Sequence, residues 1–525
     1  MKFLTVEQMR KAEQAAVEAG RFPSMMLMRR AGIALARAAA QAAALRGTRK
    51  VVLVAGHGNN GGDACVAARC LHEDGFIVQA LLTCVPAQLR EDARIAWDEM
   101  RTATAPYTVL ASPASWDSAD SIAHELMGRP CVVVDGVLGS GCKGAPEGVA
   151  KRAIQWVNQM RAHALIVSAD LPSGVNGDTG DMPGETVRAD VTVTFGRPKR
   201  CFLNDAVAEK TGHLAVADIG VGDTAEASDA PCGLIALPEL QTHFPPRPWA
   251  AHKGTCGHVC ILGGSAPYPN APVLAALGAL KSGAGLVTLA APPQSAYAAA
   301  AWTPEAILRT LETTQGVLAR PSLTPIEETL GAFDAIVVGP GLTQEHATDG
   351  LVAYMLSVAG TRIVLDADGL NALARLHTAG AWKPHDGQRL ILTPHPGEAA
   401  RLLGCAADAV QADRLGAVRK LADTFHATVV LKGAGSLVCA PGGVPLLNRT
   451  GNPGMATGGM GDVLAGMAAA LWVRGGDAPQ AAAAAVWAHG TAGDAAAIAH
   501  GQAALTATSL TRYLPMTSFD GTRLQ

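Results

Sequence analysis

Two aspartates stand where a carboxylate could move a proton. Asp170 ends the run Leu165-Ile166-Val167-Ser168-Ala169 and leads into Leu171-Pro172-Ser173-Gly174. Asp462 falls on the first turn of an expected apolar helix, after Asn452-Pro453-Gly454-Met455-Ala456-Thr457-Gly458-Gly459-Met460-Gly461. Glycines at a helix start leave backbone amides bare at the positive end of the dipole, and so form an anion hole. An aspartate beside such a hole is placed to take the proton of a hydroxyl that is being phosphorylated. Nearer the start, Gly56-His57-Gly58-Asn59-Asn60-Gly61-Gly62-Asp63 joins the strand-like Val51–Val54 to a helical pattern. It has neither the GK[ST] of a Walker loop nor the spacing of the usual dinucleotide fingerprint. Gly139-Ser140-Gly141-Cys142-Lys143-Gly144, a few residues after Asp135, does match GxGxxG, which alone is a weak signal. Asn60, Asp135, Asp170 and Ser173 bring hard oxygen donors from strand ends to one crevice, which suits a cation. The glycine loops suit a pyrophosphate.

The second half offers a parallel set. Gly339-Pro340-Gly341-Leu342 and Thr393-Pro394-His395-Pro396-Gly397-Glu398 each end a strand, and Lys432-Gly433-Ala434-Gly435-Ser436 could cradle a nucleotide phosphate. Asp366, Asp368 and Asn371 form another polar strand end. His252-Lys253-Gly254, Gly263-Gly264-Ser265 and Ser282-Gly283-Ala284-Gly285-Leu286-Val287 are expected to complete that edge. His252, Cys256, His258 and Cys260 crowd as zinc ligands would, but core and loop packing is the expected reading.

These residues need rigid strand ends behind them. Short β-branched runs alternate with Ala-rich helical stretches throughout, the pattern of parallel α/β layers. Val51–Val54, Cys131–Val134, Leu165–Val167 and Val191–Thr194 read as strands of a first domain. Val259–Leu262, Leu286–Leu289, Ile336–Val338, Ile363–Leu365, Leu390–Leu392 and Val429–Leu431 read as those of a second. Between them, residues 221–250 lose periodicity and gather Asp223, Glu226, Asp229, Pro231, Pro245, Pro246 and Pro248, as a linker would. Two doubly wound domains, residues 1–220 and 251–525, follow. Thr5 and Gln8 are spaced as a capping box that opens the first helix.

Composition narrows the function classes. With 49% hydrophobic and 17% charged residues the chain can build buried sheets, and disorder needs the opposite balance. A net charge of −3 argues against nucleic-acid binding. No apolar leader follows Met1, and tracts such as Leu464–Trp472 are too short to span a bilayer, so a soluble protein off the membrane is expected. Eleven irregularly spaced cysteines read as reduced thiols of a cytoplasmic protein. The Ala-rich stretch Ala481–Ala488 could pack between subunits of a homo-oligomer.

The strings GNNGGD, VVVD with GSGCKGA, ADLPSGVNGDTG and ADVTVTFGRPK resemble the NAD(P)H-hydrate epimerase family over roughly residues 1–220, a Rossmann-like domain. That resemblance implies that Asn59, Asn60, Gly61, Gly62 and Asp63 bind the substrate dinucleotide. Gly139, Ser140, Gly141, Cys142, Lys143, Gly144 and Ala145 would join them. It also implies that Asn60, Asp135 and Ser173 hold K+, and that Asp170 contacts substrate as the acid/base residue. Arg29 departs from the pattern, since relatives usually carry an acidic residue there. Residues 250–515 resemble the ADP-dependent NAD(P)H-hydrate dehydratases, which are ribokinase-like. Here the resemblance implies that Lys432, Gly433, Ala434, Gly435, Ser436 and Gly461 bind the AMP part of ADP. Ala284, Gly341, His395 and Asp462 would contact the hydrated nucleotide, with Asp462 as base and Mg2+ beside the phosphates. Pro269-Asn270-Ala271-Pro272 departs where relatives more often have glycine.

The substrates so implied are NADH hydrate, NADPH hydrate and ADP. The R and S epimers would interconvert in the first domain, and the second would dehydrate the S form, giving AMP and phosphate. The alternative is a ribokinase-like kinase of a small molecule that carries a non-catalytic nucleotide-binding domain.

Overall fold

The computed structural model describes residues 1–119, 121, 131–221, 230–358, 360–385 and 389–514. Asp223, Glu226 and Asp229 of the expected linker, and the end of the second domain from residue 515, lie outside them. The chain divides into two compact units, Met1–Ala230 and Pro231–Gln525.

The first unit is built on seven parallel strands. They are β1 (Lys50–Ala55), β2 (Ile77–Leu82), β3 (Tyr107–Val109), β4 (Cys131–Gly136), β5 (Ala164–Ala169), β6 (Val191–Phe195) and β7 (His213–Ala217). Their order is β3-β2-β1-β4-β5-β6-β7, so the winding reverses between β1 and β4 and opens a crevice beyond their carboxyl ends. Alternation along β1 shows why both faces are covered. Val51, Leu53 and Ala55 pack against the helices α2 (Ser24–Leu45) and α3 (Asn59–Glu73), while Val52 and Val54 meet Ile154 and Val157 on the other face. The expected capping box opens α1 (Val6–Glu18): Gln8 N donates to Thr5 Oγ1 and Thr5 N to Gln8 Oε1. At the departing position, Arg29 forms an ion pair with Glu99.

The second unit holds a ten-stranded sheet. Its strands are β8 (Gly233–Leu234), β9 (His258–Leu262), β10 (Leu286–Ala291), β11 (Ile307–Thr310), β12 (Ala335–Val338), β13 (Arg362–Leu365), β14 (Arg389–Leu392), β15 (Thr428–Leu431), β16 (Leu437–Cys439) and β17 (Leu446–Leu447). The order is β11-β10-β9-β12-β13-β14-β15-β16-β17-β8. It is parallel from β11 to β15 and turns antiparallel at β16 and β17. Inside the stretch read as a linker, Gly233–Leu234 is thus a strand and Leu237–His243 a helix of this unit.

Small residues let the helices of this unit touch backbone to backbone. A Cβ on Gly466 would lie 1.8 Å from Ala275 O, and one on Gly278 would lie 2.2 Å from Val463 O. Those contacts lock the helix Met460–Arg474 onto the helix Ala271–Lys281. Every residue from Ala481 to Ala488 is buried within this unit, so that stretch is not the subunit contact expected of it. Its alanines serve internal close packing instead.

Candidate active sites

In the first unit the glycines bring two strand ends together. A Cβ on Gly56 would stand 2.0 Å from Val137 O, and one on Gly61 would stand 1.9 Å from Gly56 O. Gly62 is bare because Met28 packs on it, and a Cβ there would lie 2.6 Å from Met28 Sδ. Gly61 and Gly62 are therefore required by packing, whereas Asn59 is exposed and free to meet a ligand. Residues 139–145 form an open loop, turned by the Cys142 N to Gly139 O bond of 3.0 Å, with Lys143, Gly144 and Ala145 exposed.

Asn60, Asp135 and Ser173 do converge. Asn60 Nδ2 donates to Leu138 O at 3.1 Å and to Ala169 O at 2.6 Å, and Gly139 lies flat against its carboxamide. Asp135, fully buried, accepts from Ser173 Oγ at 2.6 Å, Ser173 N at 3.0 Å and Ser168 Oγ at 2.8 Å. Burial pushes its carboxyl up, and these hydrogen bonds oppose the rise. Among the described residues no cationic side chain pairs with it. A buried carboxylate ringed by a hydroxyl, a carboxamide and main-chain carbonyls is an all-oxygen donor set, which fits an alkali cation and not a thiolate or imidazole metal.

Asp170 sits just past the end of β5 with a φ of +62°, left-handed backbone that a non-glycine residue adopts at a cost. Its Oδ1 accepts from Thr194 Oγ1 at 3.2 Å, Phe195 N at 3.3 Å and the ammonium of Lys199. Lys199 is itself buried and also donates to Phe195 O at 2.8 Å. One carboxyl oxygen is thus tied to the protein while the other makes no hydrogen bond among the described residues. Asp63, expected at the substrate, is buried in α3, and burial together with Asp170 and Glu13 pushes its carboxyl well above the usual range. Sequence reasoning missed Lys199 and Glu13. Lys199 was visible only as the last residue of the string TFGRPK, and no local signal marks Glu13.

In the second unit the helix Met460–Arg474 starts from Gly459 at a φ of +89°, which carries Gly461 and Asp462 onto its first turn. Asp462 meets a cluster that no single motif announced. Lys432 Nζ donates to Asp366 Oδ1 at 2.8 Å and lies 3.7 Å from Glu398 Oε2, and Thr393 Oγ1 also donates to Asp366 Oδ1 at 2.7 Å. Burial, reinforced by Asp366 and opposed by Lys432, pushes Asp462 up to about 8. Burial likewise lifts Glu398 to about 7. His395 caps the helix Pro396–Leu403, accepting from Gly397 N at Nδ1, while Glu398 Oε2 accepts from His395 N. Burial and Lys432 hold its imidazole below the ordinary value.

Lys432 belongs to this acid cluster by its side chain, and only residues 433–436 form the loop beyond it. Arg414 gathers that loop by donating to Ala434 O at 2.6 Å and Gly435 O at 3.1 Å. Gly341, at a φ of +70°, is pressed against Tyr268, where a Cβ would lie 2.7 Å from its carbonyl. Ala284 needs correction. It precedes β10, whereas Gly341, His395 and Lys432 follow β12, β14 and β15 in the same parallel array. A six-residue strand spans roughly 20 Å, so Ala284 lies at the opposite edge of the sheet. His252-Lys253-Gly254, before β9, is displaced for the same reason, while Gly263-Gly264-Ser265 follows β9 and joins the site's edge. His258, set aside as a metal ligand, bonds Thr288 Oγ1 through Nε2 at 2.8 Å.

A family model described as NAD(P)H-hydrate dehydratase matches residues 259–516, and one described as YjeF-related protein N-terminus matches residues 24–201. A bifunctional NAD(P)H-hydrate repair enzyme of Moorella thermoacetica is 38% identical over 98% of this chain and 96% of its own length. One from Leishmania infantum is 35% identical over 97% of this chain and 92% of its own. Among solved structures, the ADP/ATP-dependent NAD(P)H-hydrate dehydratase of Bacillus subtilis, co-crystallised with ATP and Mg2+, is 28% identical. It covers 55% of this chain and 97% of its own, with a TM-score of 0.47. On the full-length likeness to such relatives, the chain belongs to the family of bifunctional NAD(P)H-hydrate repair enzymes.

Proposed function

We propose that the first unit interconverts the R and S epimers of NADH hydrate and NADPH hydrate. The second unit dehydrates the S epimer at the expense of ADP, releasing the reduced dinucleotide, AMP and phosphate. One observation carries this reading: each unit holds an aspartate, Asp170 or Asp462, beside a lysine and a glycine loop at the carboxyl edge of a parallel sheet.

Dehydration needs a leaving group better than hydroxide, and a phosphoryl group on the 6-hydroxyl supplies it. Asp462 removes the hydroxyl proton, and a carboxyl lifted to about 8 is a stronger base than an ordinary aspartate. The amides of Gly459–Gly461 and the Lys432 ammonium face the transferring charge. Residues 433–436 and Gly461 take the AMP portion, and Gly341 and His395 flank the hydrated nucleotide. Among the described residues no three His, Cys, Asp or Glu form a metal cage. Mg2+ commonly rests on one or two carboxylates and the substrate's phosphates, and Asp366 and Glu398 suit that role. When bound it neutralises phosphoryl charge.

In the first unit Asn60, Asp135 and Ser173 would hold K+, which would add positive charge near the dinucleotide. Residues 59–63 and 139–145 flank the substrate, with Asn59 and the open loop making the direct contacts. Ten cysteines, all but Cys131, are free thiols, which suits work in a reducing cytoplasm, and no described helix is long and apolar enough to cross a membrane.

The test supplies an epimeric mixture of hydrated NADH with and without ADP and follows the absorbance of reduced nicotinamide. Full recovery is expected only with ADP. A stable phosphorylated product with no recovered absorbance would instead make the second unit a small-molecule kinase.

A further inference from the structure

Epimer exchange moves a proton at two atoms, and Asp170 is placed at one of them. The carbon that bears both hydroxyl and ring nitrogen is inverted when the C–N bond opens and recloses on the other face. The hydroxyl must lose its proton, and the nitrogen that keeps the bonding electron pair must gain one. The helix α1 brings a group for that second transfer.

Met9 of α1 packs on Gly196, where a Cβ would lie 2.3 Å from Met9 Cε, and Gly196 begins the turn that leads to Lys199. The next residue, Arg10, reaches the open loop, with a guanidinium nitrogen 3.7 Å from a Cβ placed on Gly141. The chain just before α1 is bridged to the same turn. Leu4 N donates to Pro198 O at 2.9 Å and Arg200 N to Leu4 O at 3.0 Å. The helix is therefore strapped between the Gly139–Ala145 loop and the Gly196–Lys199 turn. Glu13 lies one helical turn beyond Met9 on the same face. It is half-buried and has no hydrogen bond or ion pair among the described residues. The charged groups facing it are Lys199 and Asp170 from the strand ends, Asp63 from α3, and Arg10 from its own helix. Burial pushes its carboxyl up, Lys199 opposes this, and Asp170 adds to it.

We propose that Glu13 is the second acid–base residue of epimer exchange, giving a proton to the ring nitrogen while Asp170 takes that of the 6-hydroxyl. The inference rests on the epimerase reading of this unit. In the forward half, the O–H proton passes to the Asp170 carboxylate, the C=O bond forms, and the C–N bond breaks with its electron pair going to nitrogen. The Glu13 carboxyl protonates that nitrogen. Closure on the other face returns both protons, so nothing is consumed.

The test uses the full chain, with exchange followed by separating the epimers in the absence of ADP. Glu13→Gln should lower kcat for exchange about 10²-fold or more and remove the fall in rate that follows loss of the Glu13 proton as pH rises, since an amide has no proton to lose. Glu13→Asp should recover part of the rate and keep a fall with rising pH. ADP-driven dehydration of the S epimer should be unchanged in both, which reports an intact chain. Exchange by Glu13→Gln within twofold of the unsubstituted chain, or a loss confined to KM, or a loss that retains the parent's fall with rising pH, overturns the assignment. Absence of exchange in the unsubstituted chain would instead sink the epimerase reading.

Discussion

At the residue scale the two sites share one device: a carboxylate crowded by other carboxylates and restrained by a single lysine. In the second unit burial raises Asp462 to about 8, with Asp366 and Glu398 adding to the rise and Lys432 opposing it. Because the base must be ionised, kcat/KM for dehydration should climb with pH and level off above about 8, and a profile flat from about pH 6 to 9 would remove Asp462 from that role. Asp462→Asn should cut dehydration by about 10²-fold or more while ADP still binds, checked by turnover and by calorimetric titration with ADP. The same substitution bears on stability. A buried carboxyl whose folded pKa is raised contributes stability that is present below its unfolded value, near 4, and is lost as pH rises through about 8. The asparagine variant should therefore unfold at a higher temperature than the parent at pH 8, and a lower midpoint would contradict the crowding around Asp462. Asp170 and Asp462 were legible in the sequence because each follows or opens a recognisable loop. Lys199 and Glu13 were not, because only the folded chain brings residues 13, 63, 170 and 199 together.

At the scale of elements, the strands that sequence patterning finds are those buried on both faces, such as Val51–Val54 and Val259–Leu262. It passes over β2, although Val78–Leu82 is buried, and the five-residue β7, but the others it misses are of another kind. β11 is exposed along its length, β3 and β16 have three residues each, and β8 and β17 have two. Too few apolar positions remain in them for a period to show. Ala284 went astray for a different reason: a glycine-rich turn looks the same before a strand as after one, and only the parallel register tells which edge it occupies. Helix packing, by contrast, is written in small residues. Gly466→Ala puts a methyl where Ala275 O now lies and must push the Met460–Arg474 helix away from its partner. That overpacking should cost about 1–3 kcal/mol and, because this helix carries Gly461 and Asp462, reduce dehydration beyond what the lost stability explains. Thermal unfolding and kcat measured on the same preparation check it. Full activity at the parent's midpoint would mean that the helices can separate without disturbing the site.

At the scale of the whole molecule, two sheets of unlike strand order each close their own core and their own site, within Met1–Ala230 and Pro231–Gln525. The groups named at Asp170 belong to Met1–Ala230, and those named at Asp462 to Pro231–Gln525. Joining two such catalysts matters because a dehydratase confined to the S epimer leaves the R epimer unrepaired unless something converts it. The chemistry then predicts separable defects. Asp170→Asn should restore absorbance from an epimeric mixture only up to the S fraction, after which recovery slows to the spontaneous exchange rate. Asp462→Asn should recover none, yet still bring either pure epimer to the equilibrium mixture. For two independent catalysts that exchange a free dinucleotide, mixing the two variants should restore complete recovery. If the mixture stalls at the S fraction while each variant keeps its remaining activity, the epimer must pass between sites of one chain, and two independent catalysts no longer describe the protein.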